Sequence, residues 1–178
     1  MMKKIVIGAL VVIAGVVAVI LIIAATKPDT FRVERSISIN ASPEKIATQI
    51  SDFHKWTSWS PYEKKDPAMK RTYGGAKHGK GAVYEWEGNS QVGAGRIEIT
   101  DASLSRIRMK LDFLKPFEGH NTAEFTLEPE GKLTKTTWAM SGPNRFIGKV
   151  FHVFIDIDKM IGKDYETGLQ SLKSIAEK

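Results

Sequence analysis

The feature that most limits this chain is an uncharged run, Ile5–Ala25, built of Val, Ile, Ala and Leu with Gly8 and Gly15. As a helix its 21 residues rise ~31 Å, about the hydrocarbon thickness of a bilayer. A helix that is apolar on every side needs lipid or a complete wrapping of protein, and a single domain of modest size supplies no such wrapping. The run therefore predicts a single-pass transmembrane anchor over residues 1–27. The rival reading is a cleaved signal peptide, whose apolar core spans roughly 7–15 residues and ends in a small-x-small site. This run is longer, and Ile22 and Ile23 stand where such a site needs small residues. Lys3 and Lys4 precede the run with no acid beside them, while Lys27 and Asp29 follow it. That bias favours an N-in orientation with the domain outside the cytoplasm, periplasmic in a Gram-negative source. The chain has no Cys, which excludes a lipoprotein anchor and disulfides.

Residues 28–178 are enough for one domain with a real core. Half of the net charge of +6 lies in the flanks of the apolar run, and the remaining +3 is spread without a basic block. No nucleic-acid reader motif is present, so nucleic acid is not an expected partner.

Phe31, Val33, Arg35, Ile37 and Ile39 alternate with polar residues, the period of a half-buried strand. Arg35 falls on the apolar side with no reason visible in the sequence. Ser42, Pro43 and Glu44 then form a helix start: a cap, a residue suited to the first turn, and an acid at the positive end of the dipole. That helix is expected to run to about Asp52, followed by Trp56, Trp59 and Pro61. From Met69 the chain reads as an antiparallel meander. Its clearest strand carries Ile107, Met109, Leu111 and Phe113 against Arg106, Arg108, Lys110 and Asp112. For the next apolar row to share that face, the connection must hold an odd number of residues. After Gly142-Pro143 a stripe from Val150 through Phe154, Ile157, Ile161, Tyr165, Leu169 and Leu172 predicts a long amphipathic helix, with a break near Phe154–Asp158. A curled sheet of six or seven strands around one long C-terminal helix is α+β. The mismatch between curl and rod predicts an apolar cavity.

The domain resembles the helix-grip superfamily of START-like and Bet v 1-like proteins (SRPBCC), in its polyketide cyclase/dehydrase and lipid-transport branch. The resemblance is carried by Arg35-Ser36-Ile37, Ser42-Pro43-Glu44, Asp52-x-x-x-Trp56-x-x-Trp59-x-Pro61, Gly81-Ala82-Val83-Tyr84-Glu85-Trp86, Thr136–Gly142 and Gly168–Lys173. It covers residues 31–178 and implies a helix-grip fold with an internal pocket for a hydrophobic small molecule. It does not fix an activity.

Inward parity nominates Trp86, Phe113, Asn121, Trp138, Met140, Met160 and Tyr165 as pocket-lining residues. Trp56 and Trp59 read as a structural cap. Gly74–Gly81 nearly matches a phosphate-binding loop, but Gly81 stands where Ser or Thr is required, so it reads as a flexible basic hairpin tip. His152 and Asp156 are one turn apart, yet two ligands are too few for zinc, and no metal or cofactor is expected. Asp112, Glu118, His120 and Glu124 fall on outward rows, which leaves no catalytic set and no inward titratable group except Arg35. Three functions remain open. The first is a membrane-tethered binding or transfer module for a hydrophobic small molecule or lipid. The second is a cyclase or dehydratase on an apolar substrate, and the third an envelope protein acting through partner contacts.

Overall fold

The computed structural model describes residues 2–178 of the chain and the side chains of residues 5–178. The side chains of Lys3 and Lys4, on which the expected orientation rests, lie outside the described residues. The chain divides into two compact units: residues up to Phe31 with Pro143–Ile157, and Arg32–Gly142 with Asp158–Lys178.

The smaller unit holds helix α1 (Met2–Thr26) and, from far along the chain, helix α5 (Phe146–Phe154). Among the described residues α1 is the one helix long and apolar enough to cross a membrane, over Ile5–Thr26; a signal sequence meets the same test. Its described side chains are exposed along most of its length, and among them only Ala24 is buried. Helix α5 packs against α1.

The larger unit is a seven-stranded antiparallel sheet that curls around one helix. Strands β1 (Thr30–Ile39), β2 (Lys70–Gly75), β3 (Ala82–Glu87), β4 (Ala94–Ala102), β5 (Arg106–Lys115), β6 (Gly119–Glu130) and β7 (Leu133–Pro143) lie in the order β1-β7-β6-β5-β4-β3-β2. Helix α6 (Ile157–Ala176) buries Tyr165, Leu169, Leu172 and Ala176. The α+β arrangement expected from the periodicity, and the helix-grip fold that the resemblance implied, are the ones observed. Phe113 pairs with Gly119, so five residues connect the two apolar rows, an odd number as parity demands.

Between β1 and β2 lie α2 (Pro43–Ile50), a 3-10 turn (Phe53–Lys55), α3 (Trp56–Trp59) and α4 (Pro61–Lys65). Ser42 caps α2 by accepting from the Lys45 amide at 3.4 Å, and Pro43 opens its first turn. The helix stops at Ile50, short of the expected Asp52, because Asp52 instead accepts from the His54 amide and caps the next turn. This segment explains the Trp-x-x-Trp spacing. The end of α2 leaves carbonyls without helical partners. Trp56 Nε1 donates to the Ile50 carbonyl at 2.9 Å, and Trp59 Nε1 to that of Gln49 at 3.2 Å.

Two expectations are corrected. The expected break near Phe154–Asp158 is present, between α5 and α6, but the stripe read through Phe154 is not one core face, since Phe154 is 68% exposed. The Gly74–Gly81 tip is pinned rather than flexible. The Gly79 amide donates to Ser51 O at 2.8 Å, that of Gly81 to Ile99 O at 2.7 Å, and that of Ala76 to Gly81 O at 3.0 Å. Amides spent in this way are not left to cradle a phosphate.

Arg35 also finds its reason. It reaches under α6, where Nη1 and Nη2 donate to the Asp158 carboxylate at 3.0 and 2.9 Å and Nε donates to Glu166 at 2.9 Å. Gly162 lies midway between the two acids on the same helix face, and a Cβ there would collide with the guanidinium. The bonds from Asp158 and Glu166 raise the Arg35 pKa further above its ordinary value.

Candidate functional site

A cavity of about 270 Å³ lies within the larger unit, between sheet, α6 and the α3–α4 segment. The sheet supplies Tyr84, Trp86, Ile97, Leu111, Phe113, Ala123, Trp138 and Met140, the inward rows of β3 to β7. Helix α6 supplies Met160, Ile161, Asp164 and Tyr165, and the α3–α4 segment supplies Trp56, Ser60, Tyr62, Glu63 and Lys65. Met160 and Gln91, both exposed, mark its opening.

The aromatic wall centres on Trp138. Tyr165 stacks on it at 4.0 Å and 7°, Phe125 at 4.9 Å and 24°, and Trp59 meets it edge-on at 5.6 Å. Trp138 Nε1 is buried without a protein hydrogen-bond partner among the described residues. At the other side Trp86 fits over Gly95, where any Cβ would strike its ring, and donates to the Val92 carbonyl at 2.9 Å.

Six of the seven nominated residues, Trp86, Phe113, Trp138, Met140, Met160 and Tyr165, are brought together in this lining. Asn121 is not among them. It shares the inward row with Ala123 but lies nearer the end of β6, opposite Leu111, where it is half-buried and open to water. Trp56, expected as a structural cap, bonds the last carbonyl of α2 and also forms cavity wall.

The expectation that no titratable group except Arg35 points inward is overturned. Glu63, 6% exposed, lines the cavity, as does Asp164, whereas Arg35 is taken up by its own ion pairs. Tyr84 Oη donates to Glu63 Oε1 at 2.7 Å, and Arg71 Nε donates to Glu63 Oε2 at 2.7 Å. Burial, reinforced by that bond to Glu63, pushes the Tyr84 phenol far above its usual range, so it stays a donor. Lys65 Nζ bonds Asp164 at 2.6 Å beside the Tyr62 ring. Glu63 was missed because Pro61-Tyr62-Glu63-Lys64-Lys65 reads as a charged loop; the proline opening a helical turn is its only clue. Removing its donor tests the triad. Tyr84→Phe is expected to cost about 1.5–3 kcal/mol, the range for a hydrogen bond to a charged group, in chemical denaturation of the full chain.

The convex face carries the outward rows. There Asp112 accepts from His120 at 2.7 Å and pairs with Lys110 at 2.9 Å, which hold its pKa below the ordinary value although burial alone would raise it. Arg108–Glu124 and Arg96–Glu98 pairs cover the neighbouring strands. Among the described residues no group of three or more His, Asp or Glu gathers as a metal site.

The family model for polyketide cyclase / dehydrase and lipid transport proteins matches residues 30–177. The chain belongs to this family. Solved structures agree on the SRPBCC, Bet v 1-like fold. A protein of Chromobacterium violaceum is 16% identical with TM-score 0.58, over 85% of this chain and 99% of its own. The di-domain ARO/CYC StfQ from the steffimycin biosynthetic pathway is 8% identical with TM-score 0.59, over 83% and 51%. Ara h 8.0201 is 11% identical with TM-score 0.52, over 83% and 95%. At these identities the likeness is one of fold. No curated protein matches the chain. Family and fold together make this a hydrophobic-ligand-binding or polyketide cyclase-type domain.

Proposed function

We propose that this protein is a membrane-tethered binding or transfer module for a hydrophobic small molecule or lipid. Residues 1–27 act as an N-in anchor and residues 28–178 as the extracytoplasmic ligand domain. The observation that carries the reading is the cavity between sheet and α6, with apolar and aromatic walls. Trp86, Phe113, Trp138, Met140, Met160 and Tyr165 are its proposed contacts. At about 270 Å³ it sits just under the roughly 300–1,000 Å³ typical of ligand pockets. That size suits one acyl or prenyl chain or a compact ring system better than a two-chain lipid. The unpartnered Trp138 Nε1 favours a ligand that carries a hydrogen-bond acceptor. The anchor adds effective concentration, since a tethered domain samples bilayer ligands without a diffusive search.

The test uses the full chain in phosphatidylcholine nanodiscs and cis-parinaric acid as the probe. Energy transfer from tryptophan should saturate at one probe per chain. Ala123→Leu, which fills the cavity from β6, should abolish the saturable part. Equal transfer in both proteins, no different from partition into the lipid, would reject the reading.

One observation favours a second reading, a cyclase or dehydratase: the Glu63 carboxylate in the cavity wall. Both of its oxygens are already engaged by Tyr84 and Arg71, which suits a structural anchor better than a free base. An enzyme of this kind would convert a poly-β-ketone chain and lose that conversion in Glu63→Gln while still binding parinaric acid. The third reading, action through partner contacts, draws no support from a convex face laced with ion pairs.

A further inference from the structure

Helix α5 is amphipathic the wrong way round for a helix facing water. Ile147 is 71% exposed and Phe154 68%, with Phe151 beside them on the same face one turn apart. The charged member, Lys149, is the buried one, 8% exposed, and its Nζ bonds Asp29 Oδ1 at 2.5 Å. The same junction is closed by Asn144, whose amide donates to the Asp29 carbonyl at 2.7 Å and whose Nδ2 donates to that of Pro28 at 3.1 Å. His152 turns inward as well, edge-on to Phe31. The polar side of α5 is thus spent on the segment that follows α1, and its apolar side is left outside.

We infer that α5 is a second membrane contact, a short helix that lies in the headgroup–acyl boundary of the bilayer with Ile147, Phe151 and Phe154 immersed. The inference rests on the reading of α1 as a membrane span. Position argues for lipid over a protein partner. Helix α5 packs on α1, whose only buried residue among those described, Ala24, lies in its last turns, and Ile22 and Ile23 beside it remain exposed. The outward face of α5 is therefore continuous with a surface that already requires lipid. Lys27 marks where the apolar run ends, and Arg145, exposed at the start of α5, is placed for lipid phosphates. Interfacial helices of this kind bury their apolar side about 5–10 Å below the headgroups.

The chain lacks Cys, so single cysteines can be placed without background. Val16→Cys, Ile147→Cys, Phe154→Cys and Lys163→Cys alter exposed positions and spare the core. Each is labelled with nitrobenzoxadiazole in the full chain, in phosphatidylcholine–phosphatidylglycerol vesicles. Quenching is read with iodide and with lipids spin-labelled at acyl carbon 5 or 12. Labels at 147 and 154 should be quenched best by the carbon-5 lipid and resist iodide several-fold better than the label at 163. The label at 16 should respond to the carbon-12 lipid. If 147 and 154 meet iodide as freely as 163 while 16 stays in lipid, α5 is not a membrane contact and the anchor stands. If 147 and 154 are shielded from iodide and lipid alike, a protein surface covers them and the inference is overturned. If 16 also escapes lipid, the anchor reading itself fails.

Discussion

Trp138→Ala should lower the stability of the full chain by about 3 kcal/mol, the lower end of the range for deleting a buried aromatic. The lower end applies because one side of Trp138 already borders the cavity and its Nε1 has no protein partner to lose. What is lost is the stack with Tyr165 at 4.0 Å and with Phe125 at 4.9 Å, together with the edge contact from Trp59. For a chain of this length that corresponds to a fall of roughly 6–12 °C in the thermal midpoint, followed by tryptophan fluorescence in nanodiscs. Trp138→Phe keeps a ring between Tyr165 and Phe125 and should lose less than half as much. Equal losses would show that the stack contributes nothing beyond volume. The alanine variant also enlarges the cavity, so it should accept bulkier probes than the native chain even as it becomes less stable.

Gly168→Leu should cost about as much, near 3 kcal/mol, the upper end for overpacking. A Cβ at this point of α6 would lie 2.8 Å from Trp138 Cζ3 and 2.9 Å from Pro61 Cδ. Neither neighbour yields without cost: the proline ring is rigid, and Trp138 is stacked with Phe125 and Tyr165. Even Gly168→Ala should destabilise, because the helix-propensity gain of about 1 kcal/mol is smaller than the strain. Gly162→Ala on the same helix should be near neutral. There the obstacle is the Arg35 guanidinium, the far end of a flexible side chain that is one-quarter exposed and can swing aside with its exposed acid partners. Urea denaturation of the three variants separates a rigid contact from a yielding one. A Gly162→Ala loss equal to that of Gly168→Ala would reject the distinction.

Period and parity made most of the larger unit legible. Ile107, Met109 and Leu111 alternate and are buried, and Tyr165, Leu169 and Leu172 recur at helical spacing and are buried. The same parity picked out six residues of the cavity lining, because inward rows and cavity walls are one surface in a curled sheet. It did not set apart Asn121, which shares the row but is not in the lining, since parity gives a side and not a depth. It failed at Glu63, which sits in a single helical turn too short to show a period. Arg35 looked misplaced on an apolar row because its partners lie more than 120 residues away on another element. Helix α5 was the hardest to read. Its apolar spacing continues the stripe of α6, and only the structure reveals that Lys149 is the side chain turned in.

The salt bridge between Lys149 and Asp29 joins residues 120 apart in sequence, and it sets a timetable for biosynthesis. At about 5–20 residues per second, α5 leaves the ribosome roughly 6–24 s after the segment it docks on. Through that interval the whole sheet is made. The entropic cost of closing so long a loop grows only logarithmically with its length. Docking of α5 would then be a late event that reports completion of the strands between, since it cannot occur until β7 has been delivered.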